Sequence, residues 1–341
     1  MSPTTRRMPA EWEPHTRTWL AFPPANETFG SEGSDSLAAA RQSWSEVARR
    51  IAGYEPVTLV APTGLADTAR ALAGPAVQVI ELALDDAWMR DIGPTFVATE
   101  GQLTAIDWTF NGWGGQDWAS WDRDRLIAGA VAAQAGVSAE STELVNEGGG
   151  FHVDGSGTVL LTETVQLDPG RNPDWTKPQV EREIHTRLGT TKAIWLPRGL
   201  TADYERFGTR GHVDIVATFT PTGAVAVHHQ ADPAHPDHPV SAELIALLRG
   251  STDAAGRPLE IVEVPAPTAD HDGRPSDYSY INHYVGNGFV IVGLFDDPAD
   301  AEAVELLGRL YPGRTIETVD GRGIFAFGGG VHCITQQQPR L

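Results

Sequence analysis

The chain contains one cysteine, Cys333, in the run FAFGGGVHC (325–333). A lone cysteine serves either as a small buried hydrophobe or as a nucleophile. Here three glycines allow a ligand close to the backbone and His332 supplies a polar neighbour, which leaves the two readings evenly balanced. His212 and Asp214 stand two apart in GHVD (211–214). On a strand that spacing turns both side chains to the same face. Such a pair fits an acid/base and a substrate anchor for a thiol, and equally half of a metal site. Asp91 ends a Trp-Met-Arg-Asp run that follows Asp85 and Asp86, so one of these carboxylates is expected only to cap or solvate the chain. Glu147 precedes three glycines, where it suits either a turn or a hydrogen bond to a ligand or to His212. Asn282, in SYINHY (279–284), completes the set.

These residues need a frame that brings them together. Amphipathic periodicity predicts helices over 36–52, 122–135, 178–188, 240–249 and 298–310, with capping signals at Ser36 and Asp300. A β-rich run follows each: VTLVAP (57–62), STELVN (141–146), AIWLP (193–197), LEIVEVP (259–265) and RTIETV (314–319). Next come hairpin patterns over 95–108, 151–163, 213–229 and 280–295, with turns at Glu100-Gly101, Asp154–Gly157, Pro221–Gly223 and Gly286–Gly288. A fifth, glycine-rich stretch (323–336) ends in a strand, and an extra helix and strand (63–73, 77–82) lengthen the first unit. The pattern is five helix–strand–hairpin units, which bury their faces only by packing around one another into one closed, pseudo-fivefold body. The catalytic-type residues fall at equivalent places in the units, so a radial fold converges them on its axis.

Composition narrows the function classes. Of 341 residues 41% are hydrophobic and 21% charged, the balance of a soluble globular protein with ample core, read as one domain over 1–341. No apolar run reaches the roughly 20 residues that span a bilayer, and the N-terminal MSPTTRRMPAEWEP lacks the apolar region of a secretory signal. One cysteine gives no disulfide framework, so the expected compartment is the cytoplasm. A net charge of -20 opposes nucleic acid and anionic membranes and favours a small cationic partner. His228, His229, His235 and His238 lie in or beside the proline-rich stretch ADPAHPDHP (231–239), read as a surface loop, and no metal is expected.

Together the motifs resemble the agmatine deiminase and bacterial peptidyl-arginine deiminase family of the guanidino-group-modifying superfamily. The resemblance is carried by MPAEWEPHTRTWLAFP (8–23), DDAWMRDIGPTFV (85–97), FNGWGG (110–115), NEGGGFHVDGSGTVLLTE (146–163), PGRNP (169–173), WLPRGL (195–200), GHVD (211–214), SYINHYVGNGFVIV (279–292) and GGGVHCITQQQP (328–339). It implies an α/β-propeller, or pentein, of five ββαβ-type units. It also implies Cys333 as nucleophile, His212 as general acid/base and Glu147 as the carboxylate orienting the histidine. Asp91 and Asp214 would clamp the guanidinium; if the substrate is agmatine, the indole rings of Trp88 and Trp113 are expected to wall its methylene chain. The implied reaction is hydrolysis of agmatine, a step toward putrescine, without a cofactor; the implied assembly is a homodimer.

One stretch departs from the family pattern. Where agmatine deiminases commonly carry acidic residues directly before GHxD, ADYERFGTRGHVD (202–214) places Asp203 and Glu205 further upstream and Arg210 next to Gly211. Arg210 either receives a substrate carboxylate, as in arginine or another guanidino acid, or faces solvent. A pentein that binds without catalysing and a papain-like protease are the rival classes. The complete nucleophile, acid/base and carboxylate set opposes the first, and the fivefold pattern opposes the second.

Overall fold

A computed structural model describes residues 6–269 and 276–341; Met1–Thr5 of the stretch read for a leader lie outside them. Five sheets are present among the described residues, and each repeats one plan. Two strands pair antiparallel, a helix crosses over, and a third strand returns parallel to the second. The second sheet shows it: Thr95–Thr99 and Gln102–Thr109 form the hairpin, Ile127–Ala135 crosses, and Ser138–Val145 returns. The same order holds for Phe151–Val153, Thr158–Thr162 and Lys192–Leu196 around helix Lys177–Leu188. Ala217–Phe219, Ala224–His229 and Glu260–Pro265 repeat it around Asp237–Arg249. Tyr284–Gly286, Phe289–Leu294 and Thr315–Asp320 repeat it around Asp300–Leu310.

The remaining sheet joins the two ends of the chain. The strand Thr335–Pro339 pairs antiparallel with His15–Ala21, and Asp35–Ala52 then crosses to Val57–Ala61, flanked by Val77–Glu81. The indole of Trp19 donates to Gln338 Oε1 at 3.0 Å across the closure. Stretch 323–336 therefore contains no hairpin of its own, as the glycine-rich pattern had implied; its partner strand lies at the other end of the sequence.

Helix Asp35–Ala52 forms because Leu37, Ala40, Trp44, Val47 and Ile51 recur every three or four residues and bury one face. Burying each large side chain stabilises the packing by roughly 1.5–3 kcal/mol. Its cap is Ser34, whose Oγ accepts from Leu37 N at 3.2 Å, and not Ser36. The central strand Val57–Ala61 is buried on both faces, which explains its unbroken apolar run. Two further expectations shift: Tyr280–His283 precede the fourth hairpin rather than belong to it, and helix Asp237–Arg249 takes the end of the proline-rich stretch. The described residues contain no helix long and apolar enough to cross a membrane.

Candidate active site

Each of the five sheets opens on a turn, and each turn carries a residue singled out from the sequence. Asp91 lies in the helical turn Met89–Ile92 before Thr95. Glu147 introduces the turn Gly148–Gly150 before Phe151. His212 and Asp214 precede Ala217, Asn282 precedes Tyr284, and Cys333 precedes Thr335. The ring thus brings together residues more than 200 positions apart. His212 and Asp214 do not share a strand face, however: Val213–Ile215 is a 3-10 turn, and the turn, not strand alternation, aims both inward.

Solvent barely reaches the cluster: Cys333 is 4% exposed, Asp91 5%, Asp214 2%, His212 1% and Glu147 0%. Cys333 Sγ lies 3.2 Å from Asn282 Nδ2, which donates to it, and 3.6 Å from Asp214 Oδ2. Burial, with Asp214 and Asp91 nearby, pushes the thiol well above its ordinary pKa, so the resting sulfur keeps its proton. His212 Nε2 meets Glu147 Oε2 at 3.1 Å, and its Nδ1 lies 3.9 Å from Asp91 Oδ1 without a hydrogen-bond partner. Burial opposes a charged imidazole, yet Asp91 and Glu147 outweigh it and lift His212 to about 9.

Glu147 is a carboxylate despite its burial, which by itself would raise its pKa; Arg171 and His212 bring it down to about 2. Arg171 Nε contacts both Glu147 oxygens at 3.0 and 3.1 Å, Nη1 donates to Asp168 at 2.8 Å, and Nη2 to the Thr209 carbonyl at 2.8 Å. Arg171 belongs to the site's support and was not singled out from the sequence. The only signal was its place in PGRNP, a loop lacking any catalytic residue type.

Asp91 Oδ2 accepts the Trp113 indole N–H at 2.9 Å, and Oδ1 accepts Gly149 N at 3.1 Å. Burial dominates and raises Asp91 to about 6. Asp214 keeps Oδ1 without a partner, while Oδ2 meets His332 Nδ1 at 2.8 Å. Burial would raise Asp214, but the His332 contact outweighs it and holds its pKa below the usual carboxylate value. Gly149 keeps the centre open: a Cβ there would overlap His212 Nδ1 and stand 3.0 Å from Asp214 Oδ2. A Cβ on Gly329 would lie between Trp88 Cζ3, at 2.8 Å, and Cys333 Sγ, at 3.1 Å, so Trp88 borders the sulfur. Trp113 stacks on Trp118 with ring centroids 5.2 Å apart.

The chain from 202 to 210 braces the site. Asp203 is buried and accepts from the backbone N–H groups of Thr209, Gly211 and His212 at 2.6, 2.5 and 3.3 Å. Arg210 keeps 37% of its side chain exposed, in line with the solvent-facing expectation, but it is not a free anion receptor. Its Nη1 pairs with Asp168 Oδ2 at 3.3 Å, the oxygen that also holds Arg171. Among the described residues no group of three or more His, Cys, Asp or Glu side chains is arranged to hold a metal ion.

Residues 7–339 match the family described as Porphyromonas-type peptidyl-arginine deiminase. This chain belongs to that family. Its relatives include a Streptomyces avermitilis protein provisionally named agmatine deiminase, 59% identical over 338 residues, covering 98% of this chain and 97% of that one. The agmatine deiminase of Stutzerimonas stutzeri is 38% identical over 357 residues, covering 97% and 95%. The solved structure of the agmatine deiminase of Enterococcus faecalis superposes with a TM-score of 0.93 at 32% identity, covering 98% of this chain and 96% of that one. The family's pentein fold is thus the fold of this chain, in agreement with the five-unit repeat read from its sequence.

Proposed function

We propose that this protein hydrolyses agmatine to N-carbamoylputrescine and ammonia through a covalent thiouronium on Cys333. The observation that carries the reading is one enclosed site holding a thiol, an imidazolium with a free Nδ1–H, and carboxylates on two sides. A guanidinium is planar, with N–H donors in a fixed fork, and Asp91 and Asp214 match such a fork. The substrate's positive charge offsets the two carboxylates that hold the thiol protonated, so binding releases the Cys333 proton to solvent. Thiolate attack on the guanidinium carbon gives a neutral tetrahedral adduct. His212 then protonates the departing nitrogen through Nδ1, and ammonia leaves a thiouronium cation. Neutral His212 next takes a proton from water and hydroxide adds to the same carbon; collapse breaks the C–S bond, the hydroxyl proton passes to the departing Cys333 sulfur, and the neutral urea and resting thiol result.

Trp88 and Trp113 flank the methylene chain, and Asn282 holds the sulfur in line. Trp118, stacked on Trp113, lines a cavity of about 540 Å³ with Glu27, Glu32, Asp85, Asp86 and Arg123, whose net negative charge suits the approach of a cation. A peptide substrate fits poorly because the catalytic groups lie enclosed. The pairing of Arg210 with Asp168 weakens the argument for a substrate carboxylate. Ranking agmatine, arginine, peptidyl arginine and other guanidino compounds by kcat/KM tests the assignment. Agmatine should lead, with N-carbamoylputrescine as product; arginine turnover with agmatine inert would refute it.

A further inference from the structure

Three motifs meet beneath Asp214 without touching the substrate's place: MPAEWEPH through Glu11, WMRD through Arg90, and HCITQQQP through His332 and Gln337. His332 stands between two carboxylates. Its Nδ1 lies 2.8 Å from Asp214 Oδ2 and its Nε2 lies 2.8 Å from Glu11 Oε1. Arg90 Nη1 reaches Glu11 at 3.3 Å and Gln337 Oε1 at 2.8 Å, while its Nε donates to the His332 carbonyl at 3.3 Å. His152 Nε2 lies 3.7 Å from the other Glu11 oxygen. All of these side chains are buried.

A neutral imidazole has one N–H and one lone pair. Placed here, it would turn the lone pair toward a carboxylate oxygen. Only the imidazolium donates to both. We propose that Glu11 holds His332 as a permanent imidazolium, making it a positioning residue that keeps Asp214 ionised with Oδ1 turned to the substrate's guanidinium. The inference rests on reading Asp214 as a guanidinium-holding carboxylate.

The groups facing His332 act in opposite directions. Burial opposes its charge, as does Arg90, whereas Glu11 and Asp214 favour it; the His152 ring stands 6.5 Å away, His283 is held neutral by its own burial, and Cys333, beside it in sequence, is protonated at rest. The carboxylates prevail and His332 is raised. Glu11 is pulled well below the usual carboxylate range against its own burial, chiefly by His332 and Arg90. The arrangement also fixes geometry: Asp214 Oδ2 is committed to His332, so the free oxygen is Oδ1.

The test is Glu11→Gln, which retains a hydrogen-bond acceptor but removes the charge. Relative to wild type at the same pH, its KM for agmatine should rise about tenfold or more by pH 8 and recover toward wild type near pH 6, where His332 regains its proton. The kcat should change less than KM. A KM defect equal at all pH values would indicate a structural role alone and overturn the proposal, as would an unchanged KM. If Glu11→Gln does not fold, imidazole ¹⁵N shifts of the wild-type protein, with His332 assigned by loss of its signal in His332→Gln, decide instead. Both ring nitrogens should remain protonated at pH 8, and a neutral tautomer there would overturn the proposal. That spectrum needs no turnover, so it stands apart from any failure of the agmatine assignment.

Discussion

His212 and Glu147, 65 residues apart in sequence, meet at 3.1 Å in a site that solvent barely reaches. The contact leaves the opposite ring nitrogen free to face the reacting carbon, and it fixes the charge state in which catalysis starts. The resting pair of Cys333 and His212 holds two protons, whereas attack requires a thiolate beside an imidazolium, one proton fewer. From this, kcat/KM should climb with pH until the pair loses its first proton, near 9. Glu147→Gln removes a carboxylate that raises His212, so the climb should end at a lower pH. The plateau should fall by about 10²–10³-fold as orientation is lost. A pH series of kcat/KM for both proteins measures this.

Trp113 sets the acidic side. Asp91 must be ionised to hold a cation, and burial places its pKa at about 6, above its ordinary value. Substrate capture should therefore weaken as pH falls through 6. Trp113→Phe deletes the indole N–H that stabilises the carboxylate, which raises Asp91 further. The weakening should then begin about one pH unit higher, read in KM.

Gly149 predicts a steric result. A methyl group there would overlap His212 Nδ1, the nitrogen assigned to protonate the departing ammonia. Gly149→Ala should lower kcat by about 10²-fold or more. Circular dichroism should show the fold retained.

Arg171 predicts a stability result. It is buried and joins Glu147 to Asp168, so Arg171→Met leaves Glu147 with the His212 imidazolium as its one remaining cationic contact among the described residues. Breaking such a pair costs about 3–5 kcal/mol, and chemical denaturation should show a loss of that order together with reduced activity.

The architecture was legible because the signals that define it are local. Helix periodicity, β-rich runs and glycine turns recur in each unit, and the helices lie within a few residues of where they were read. The ring closure was not legible, since Thr335–Pro339 finds its partner at His15–Ala21 and no local pattern announces a pairing across the whole chain. The support of the site was hidden for the same reason. Glu11 reaches His332 across 321 residues, and Arg171 reaches Glu147 from a loop whose own sequence gives it no role. The His212–Asp214 spacing suggested convergence through a strand, whereas a 3-10 turn achieves it. Arg210 could not be placed without Asp168, which ties it to the same carboxylate as Arg171.

The most direct test of the central claim is to mix the protein with agmatine, quench in acid during turnover, and weigh the peptide that contains Cys333. Its mass should rise by that of agmatine less ammonia, and the adduct should disappear in Cys333→Ala along with the activity. Turnover at wild-type rate by Cys333→Ala, with no adduct on the native peptide, would contradict the account.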